Sequence, residues 1–256
     1  MGDATEHIER HDNGKIRTRA TLVDGELEGE CVTYDEEERV ISRSHHVKGK
    51  LDGETIRYGE GGREIEKSTF KDGVLEGEMV THDDAGQVAQ RARFVAGKMH
   101  GEMTVHVDGR LRARSTYAKG KQTGPYLAFD EEGHQVASAM YEDGLLEGES
   151  LSFDGTGKLM RKAQYHKNKL HGLLVEYHPN GKVREQCAYK DGKREGELLM
   201  FFDTGKVRKK AYYKAGELRG EPVELDEKGN VKPPPDKGEK KDSVFAKMAS
   251  RLTGGG

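Results

Sequence analysis

The chain has 256 residues, of which 33% are hydrophobic and 35% are charged, and it contains no Trp. A mean hydropathy of −0.90 with this composition is typical of disordered chains. A net charge of −3 gives no basic footprint for nucleic acid. No signal-peptide core and no run of about 18 apolar residues occurs, so the sequence predicts a cytoplasmic protein without a membrane span.

A sequence motif, which we call the phrase, recurs along almost the whole chain. It consists of an aromatic residue, any two residues, Gly, any three residues, Gly and Glu. Its period is 24 residues, with one deletion, and the range 189–221 begins and ends with it. The first glycine recurs at Gly25, Gly49, Gly73, Gly97, Gly120, Gly144, Gly192 and Gly216, with Asn168 in the missing place. A third glycine closes each unit, with Glu38 as the only exception. A fixed period of this length indicates a repeat array, and recurrent glycines beside Asp, Asn and Lys indicate turns with positive φ.

Two short strands are predicted between the turns of each unit. The first carries a Glu ladder, an aliphatic ladder and a first aromatic ladder, which begin at Glu30, Val32 and Tyr34 and recur with the period. The second carries a small ladder: Ala20, Ser44, Ser68, Ala92, Ser115, Ala139, Ala163, Cys187 and Ala211. A second aromatic ladder follows it: Leu22, His46, Phe70, Phe94, Tyr117, Tyr141, Tyr165, Tyr189 and Tyr213. We expect the rings and aliphatic side chains of both strands to share one apolar face.

The predicted fold is therefore all-β, an elongated single-layer antiparallel β-hairpin array of about nine 24-residue repeats over residues 1–231. Residues 232–242 read as a Pro/Lys-rich linker, and residues 243–256 as a short amphipathic helix with a Gly tail. Six basic and three acidic side chains give residues 232–256 a charge of +3. Cys31 and Cys187 lie several repeats apart and are predicted to be free thiols, which suits a reducing compartment.

The full phrase, as in Tyr189 to Gly220, resembles the MORN-repeat variant of bacterial YwqK-family antitoxins. The resemblance covers about residues 6–231. It implies a hairpin ribbon and a non-catalytic binding protein, either an antitoxin or immunity partner or a scaffold with protein or membrane contacts. No cofactor is implied.

The candidate chemistry repeats instead of forming one singular site. The Glu ladder is interpreted as structural, with each Glu accepting turn amides or pairing with Lys or Arg. His82 and His106 lie one repeat apart, too far to share a metal without a third element. The glycines resemble phosphate-binding loops, but no helix follows them. We therefore predict no catalytic residue, no metal, no cofactor and no small-molecule substrate.

The aromatic ladders are the candidate binding surface, although their simpler role is the core of the sheet. A single-layer ribbon leaves such a stripe open to a partner, a second copy or a terminal helix. The predicted helix can cap the last repeat, bind a partner or contact an anionic membrane. The candidate partner-contacting residues are Tyr117, Tyr141, Tyr165, Tyr189, Tyr213, Phe245, Met248 and Leu252. The leading prediction is a protein partner resembling a toxin, and the alternative is a self-associating scaffold or membrane adaptor.

Overall fold

The computed structural model describes residues 3–233 and shows one antiparallel sheet of 21 strands. The predicted C-terminal helix over 243–256 and nearly all of the predicted linker lie outside the described residues. The strands are β1 (Ala4–Arg10), β2 (Ile16–Val23), β3 (Glu26–Leu27), β4 (Gly29–Tyr34), β5 (Val40–Val47), β6 (Lys50–Tyr58), β7 (Glu64–Lys71), β8 (Val74–His82), β9 (Val88–Val95), β10 (Lys98–Val107), β11 (Arg110–Ala118), β12 (Lys121–Phe129), β13 (Gln135–Glu142), β14 (Leu145–Phe153), β15 (Leu159–His166), β16 (Lys169–Leu170), β17 (Gly172–Tyr177), β18 (Val183–Lys190), β19 (Lys193–Phe201), β20 (Val207–Lys214) and β21 (Glu217–Glu224). A single 3-10 turn, Glu60–Gly62, precedes β7.

Each strand pairs with the strands before and after it in the chain, so the order in space follows the order in sequence. Two strands are interrupted: β3 and β4 both pair with β2, and β16 and β17 both pair with β15. The predicted hairpin array is confirmed, and it begins at Ala4 as the extended register of the repeat predicts.

Two kinds of turn connect the strands, and both use the left-handed conformation that the glycines predict. The two-residue turns place an Asp, Lys or Ala and then Gly at positive φ, as in Asp191 (51°) and Gly192 (82°). Asn168 takes the place of Gly with φ 66°, and the exceptional Glu38 has φ 67°. In the second kind of turn an Asp is followed three residues later by the third glycine of the repeat, a pattern that we call D-x-x-G. The Asp caps the backbone: Asp154 Oδ1 accepts hydrogen bonds from the amides of Thr156 and Lys158.

Side chains link each repeat to the next one at both edges of the ribbon. At the D-x-x-G edge, the basic residue after the turn glycine donates to a carbonyl of the following turn, as Lys182 Nζ does to Thr204 O at 2.9 Å. At the other edge, the Glu before the second glycine accepts the turn amide of the next repeat, as Glu147 does from Lys167 N at 2.9 Å. Contacts between repeats therefore explain the basic residue after the third glycine, such as Lys182, and the Glu before the second glycine, such as Glu147.

The expectation of one shared apolar face is wrong. Cross-strand partners lie on the same face of a sheet, and Val32 pairs with Arg43 whereas Cys31 pairs with Ser44. The Glu, aliphatic and first aromatic ladders thus share a face with a ladder of Lys and Arg, which we call the charged face. The small and second aromatic ladders lie on the opposite face, which we call the tyrosine face.

The core of the sheet is the small ladder on the tyrosine face. Ala163 and Cys187 are 0% exposed, and Ala92 and Ser68 are each 2% exposed, although no second layer covers them. The larger side chains beside them provide the cover: Tyr189, Met200 and Tyr213 pack against the buried cluster of Cys187, Leu198 and Ala211. Small residues in one ladder thus pack beneath the rings of the next ladder, which closes this face without a second layer.

Candidate functional site

The five candidate tyrosines form an uninterrupted row on the tyrosine face. Each follows a small-ladder residue by two positions and lies on β11, β13, β15, β18 or β20, so neighbours are separated by one intervening strand, or about 10 Å. All five are half-buried. Tyr126 on β12 packs edge-to-face against Tyr141, with 6.3 Å between ring centroids. Burial, with Tyr126, Tyr117 and Tyr165 nearby, raises the pKa of Tyr141, so its hydroxyl stays protonated and able to donate.

An arginine joins the row at its C-terminal end. The Arg194 guanidinium lies 5.3 Å from the ring centroid of Tyr213, and its Nε donates to Tyr189 Oη at 3.2 Å. Its Nη2 lies 3.3 Å from Glu185 Oε1, and the Glu185 side chain is 16% exposed. Burial raises the pKa of Glu185, an effect that the charge of Arg194 partly offsets. The result is a polar cluster among the rings and aliphatic side chains at this end of the tyrosine face.

Sequence reasoning missed Arg194 and Glu185 because it searched for recurring residues. The available signal was a departure from the repeat. Arg194 stands in a ladder whose other members are almost all apolar: Leu27, Leu51, Leu75, Met99, Gln122, Leu146, Leu170 and Leu218. A charged residue in such a ladder marks a position where one repeat differs from its neighbours.

Cys187 is part of the core beneath this cluster. It is 0% exposed, and burial is the main reason that its thiol pKa is raised. The thiolate is the nucleophilic form of cysteine, so the geometry favours a packing role for Cys187. Cys31 is also free and buried, as predicted.

The Glu ladder is paired along the charged face. Arg43, Lys67 and Arg91 contact Glu30, Glu54 and Glu78 at 2.9, 2.6 and 2.7 Å. These groups are about half exposed, so each pair adds little to stability. The structural interpretation of this ladder is confirmed.

Potential metal ligands in residues 3–233 come together at one place, the turn that holds Asp130, Glu132 and His134. Asp130 Oδ1 already accepts hydrogen bonds from the Glu132 and His134 amides, at 3.1 and 2.8 Å. The group is therefore a capped turn of the same kind as the others. His82 and His106 each have a buried Nδ1 without a hydrogen-bond partner among the described residues, and His82 Nδ1 lies 4.0 Å from Glu64 Oε1. Neither histidine belongs to this group.

The remaining candidates, Phe245, Met248 and Leu252, lie outside the described residues, so their role stays a prediction. In the described part of the chain, no helix is long and apolar enough to cross a membrane.

Family comparison matches three consecutive segments, residues 146–167, 170–191 and 194–215, to the MORN repeat variant. The segments cover nearly all of the hairpins β14–β15, β16/β17–β18 and β19–β20 in turn, and together they contain Tyr165, Tyr189, Arg194 and Tyr213. MORN repeats commonly bind proteins or membranes. The finer resemblance to YwqK-family antitoxins stays a prediction.

No curated protein matches the chain. Among solved structures, a GtfA/B complex bound to UDP and GlcNAc matches 43% of this chain at 17% identity, over 22% of its own chain, with a TM-score of 0.22. The Tc holotoxin pore of Photorhabdus luminescens matches 90% of this chain at 14% identity, over 14% of its own chain, with a TM-score of 0.21. The chain thus spans less than a quarter of the length of these proteins, and likenesses this low carry no argument.

Proposed function

We propose that this chain is a non-catalytic binding protein that grips a protein partner through its tyrosine face, as an antitoxin or immunity protein grips a toxin. The observation that carries the proposal is the unbroken row of five tyrosines, whose last two members, Tyr189 and Tyr213, both contact Arg194. Tyrosine and arginine are enriched at protein interfaces because they combine a large contact area with hydrogen-bonding ends. MORN repeats at the same positions support a binding role.

The C-terminal end of the row is the most specific part of the proposed surface. There the Tyr189 hydroxyl and the Tyr213 ring both contact Arg194, which holds the three side chains in a fixed arrangement. Fixed aromatic side chains lose little conformational entropy on binding. We propose that Tyr189, Arg194 and Tyr213 anchor the partner and that Tyr117, Tyr141 and Tyr165 extend the contact.

Affinity capture from the source cell with a tagged chain tests the proposal. We expect a stoichiometric foreign protein that is retained by the wild type and lost with Tyr189→Ala/Tyr213→Ala. Tyr34→Ala/Tyr58→Ala is the matched control, because it removes two half-buried tyrosines from the charged face. Tyr189→Phe/Tyr213→Phe keeps the rings over the core and checks that binding is not lost through misfolding.

The antitoxin role has its own test. The captured protein, expressed alone, should stop growth, and co-expression with the chain should restore it. A harmless partner would overturn the antitoxin role while leaving the binding role in place. Equal capture by the wild type and by the Tyr189→Ala/Tyr213→Ala variant would overturn the proposed surface.

The alternative is a membrane-associated or self-associating scaffold, and the charge of +3 in residues 232–256 favours a membrane contact. Vesicles of anionic lipid separate the two functions. Binding that disappears with residues 233–256, without any foreign protein captured, would replace the proposed function with the adaptor. The two free, buried thiols suit a reducing compartment, so we propose that the protein works in the cytoplasm.

A further inference from the structure

The middle of the tyrosine face is almost free of charge. Along β8 to β14, the residues in register with the small and second aromatic ladders are uncharged except Arg110, which lies at the edge of the sheet and donates to Glu131 O. The large half-buried side chains there are Phe94, Met99, Met103, Tyr117, Tyr126 and Tyr141. Aromatic residues and Met are enriched, and charged residues depleted, at the centres of protein interfaces. The charged face of the same strands carries the exposed pairs Glu78–Arg91 and Glu102–Arg114.

The uncharged region is large enough for a stable contact between two chains. Seven strands at a spacing of about 4.8 Å, and rows of about 20 Å along the strands, give roughly 600 Å² on each copy. Two such surfaces bury about 1,200 Å² in total, the lower end of the range for specific interfaces.

A row of successive cross-strand partners runs across this region. Over eleven residues, its charged residues lie at equal distances on either side of the centre, and those at equal distances have opposite signs. It begins with Arg57 and Glu66, which are partners on β6 and β7. It then passes through seven uncharged residues, with Ala113 of β11 in the middle. It then reaches Arg161 and Glu176, which are partners on β15 and β17. Beyond these eleven residues the row continues to Ser42 on one side and Glu185 on the other. Counting β16 and β17 as one interrupted strand, β7 and β15 each lie four strands from β11, and β6 and β17 each lie five.

A two-fold axis parallel to β11 through Ala113 exchanges the two ends of this row. Because rotation about that axis preserves position along the strands, Glu66 of one copy lies over Arg161 of the other. Arg57 of one copy likewise lies over Glu176 of the other. Each pair has opposite sign and occurs twice. A two-fold axis that ran along this row, across the strands, would instead place Glu66 over Glu66 and Arg161 over Arg161, which brings like charges together.

We infer that two copies of this chain pack face to face through the central tyrosine face, about a two-fold axis along β11. The inference rests on the proposed function only in taking the tyrosine face as the binding surface. Arg161 supplies the clearest driving charge, because the described residues place its guanidinium 3.5 Å from Tyr165 Oη and give it no carboxylate partner. Glu66 and Glu176 are each paired within their own chain, Glu66 with Arg57 at 3.1 Å and Glu176 with Arg184, so the dimer shares these carboxylates between two cations.

Charge reversal tests the predicted pairs, with the dimer Kd measured by sedimentation equilibrium on the full chain. Glu66→Lys or Arg161→Glu places two like-charge contacts in the interface, and we expect each to raise the Kd about tenfold or more. The double variant Glu66→Lys/Arg161→Glu exchanges the signs and should restore the Kd to within about threefold of wild type. Glu78→Lys is the matched control, since it also breaks an Arg–Glu pair but on the charged face.

Cross-linking tests the position of the axis. The two copies of Ala113 face each other across sheets about 10 Å apart, so Ala113→Cys should give a covalent dimer with a bismaleimide of that span. Arg114→Cys, one residue along β11 on the charged face, should not. The native Cys31 and Cys187 are buried and add little background.

A monomer at tens of micromolar overturns the inference, as does a dimer that Glu66→Lys leaves intact or that Glu78→Lys weakens equally. Neutral vesicles that bind the wild type, but not Ala113→Glu, would also overturn it by showing that lipid covers the patch. A monomer that still captures a foreign protein through Tyr189 and Tyr213 would overturn the dimer and leave the proposed function standing.

Discussion

Glu38 adopts the backbone conformation of Gly86, the equivalent residue two repeats later in the same type of turn. Its φ is 67°, against 79° for Gly86, and both amides donate to the carbonyl of the Asp three residues earlier. The turn is therefore set by the surrounding hairpin, and Glu38 is held in a region that costs a residue with a Cβ about 1 to 2 kcal/mol.

Glu38→Gly should stabilise the protein by about 1 kcal/mol, because Gly enters the left-handed region without that cost. Urea denaturation followed by circular dichroism measures the change. Gly86→Ala is the converse experiment. A Cβ at this position meets nothing within 4 Å, so the stability that the variant loses reports the backbone strain alone. An unchanged midpoint for Glu38→Gly would show that the turn relaxes around Glu38.

Acid should weaken the array through its capped turns. The hydrogen bond from Thr156, followed by the Lys158 amide, holds the pKa of Asp154 below its usual value, and Asn230 acts similarly on Asp226. A carboxylate whose pKa is lowered by folding contributes stability that is present above its unfolded pKa, about 4, and is lost as pH falls through the folded value.

Asp154→Asn keeps an oxygen acceptor but removes the titrating group, so stability should depend less on pH between about 5 and 3. The measurement is the urea midpoint as a function of pH. Asp84→Asn is the control, because that turn residue offers its backbone carbonyl, and not its carboxylate, to Arg63. Equal slopes in wild type and Asp154→Asn would contradict the capping account.

Arg194→Met should destabilise the protein by about 1 to 2 kcal/mol at pH 7, since it leaves the Glu185 carboxylate half-buried without its cation. The figure is modest because the Arg194 side chain is 38% exposed. Burial already raises the pKa of Glu185, so the protonated form is favoured in the folded state and the loss should shrink as pH falls towards 5. Adding Glu185→Gln should recover most of the stability, and a loss independent of pH would argue for packing alone.

Cys187→Ala should cost less than about 1 kcal/mol, because Ala occupies the same ladder position at Ala163 and Ala211 and is buried there. Cys187→Leu should cost more, about 1 to 3 kcal/mol, since the extra volume has to displace Tyr189 and Tyr213. Denaturation midpoints compare the two variants. Rapid reaction of native Cys187 with a thiol reagent would contradict its burial.

The repeat period and turn chemistry predicted the hairpin array because both depend on local backbone geometry. Asn168 and Glu38 were even recognised as the positions without glycine, and the structure gives both a positive φ. The assignment of faces failed because alternation fixes only which residues of one strand share a face. How two strands combine depends on register, and the irregularity between Thr33 and Tyr34 shifts β5 against β4 by one residue, which exchanges the faces of β5.

The candidate site was predicted in part for a similar reason. The tyrosine row follows from recurrence, so its five members could be identified from the sequence. Arg194 and Glu185 come together only because Tyr189 pairs with Arg194 across β18 and β19, a relationship that no spacing along the chain reveals. The antisymmetric row centred on Ala113 likewise appears only once the register of eleven residues is known.

The links between repeats give the ribbon a direction. Lys182 reaches forward to Thr204, and Glu147 reaches forward to Lys167, so every unit supplies the groups that its successor receives. A duplicated block of 24 residues would find a matching donor and a matching acceptor both behind it and ahead of it. Arrays of this kind can therefore grow or shrink by whole modules during evolution, with the length of the gripping surface changing while each joint stays the same.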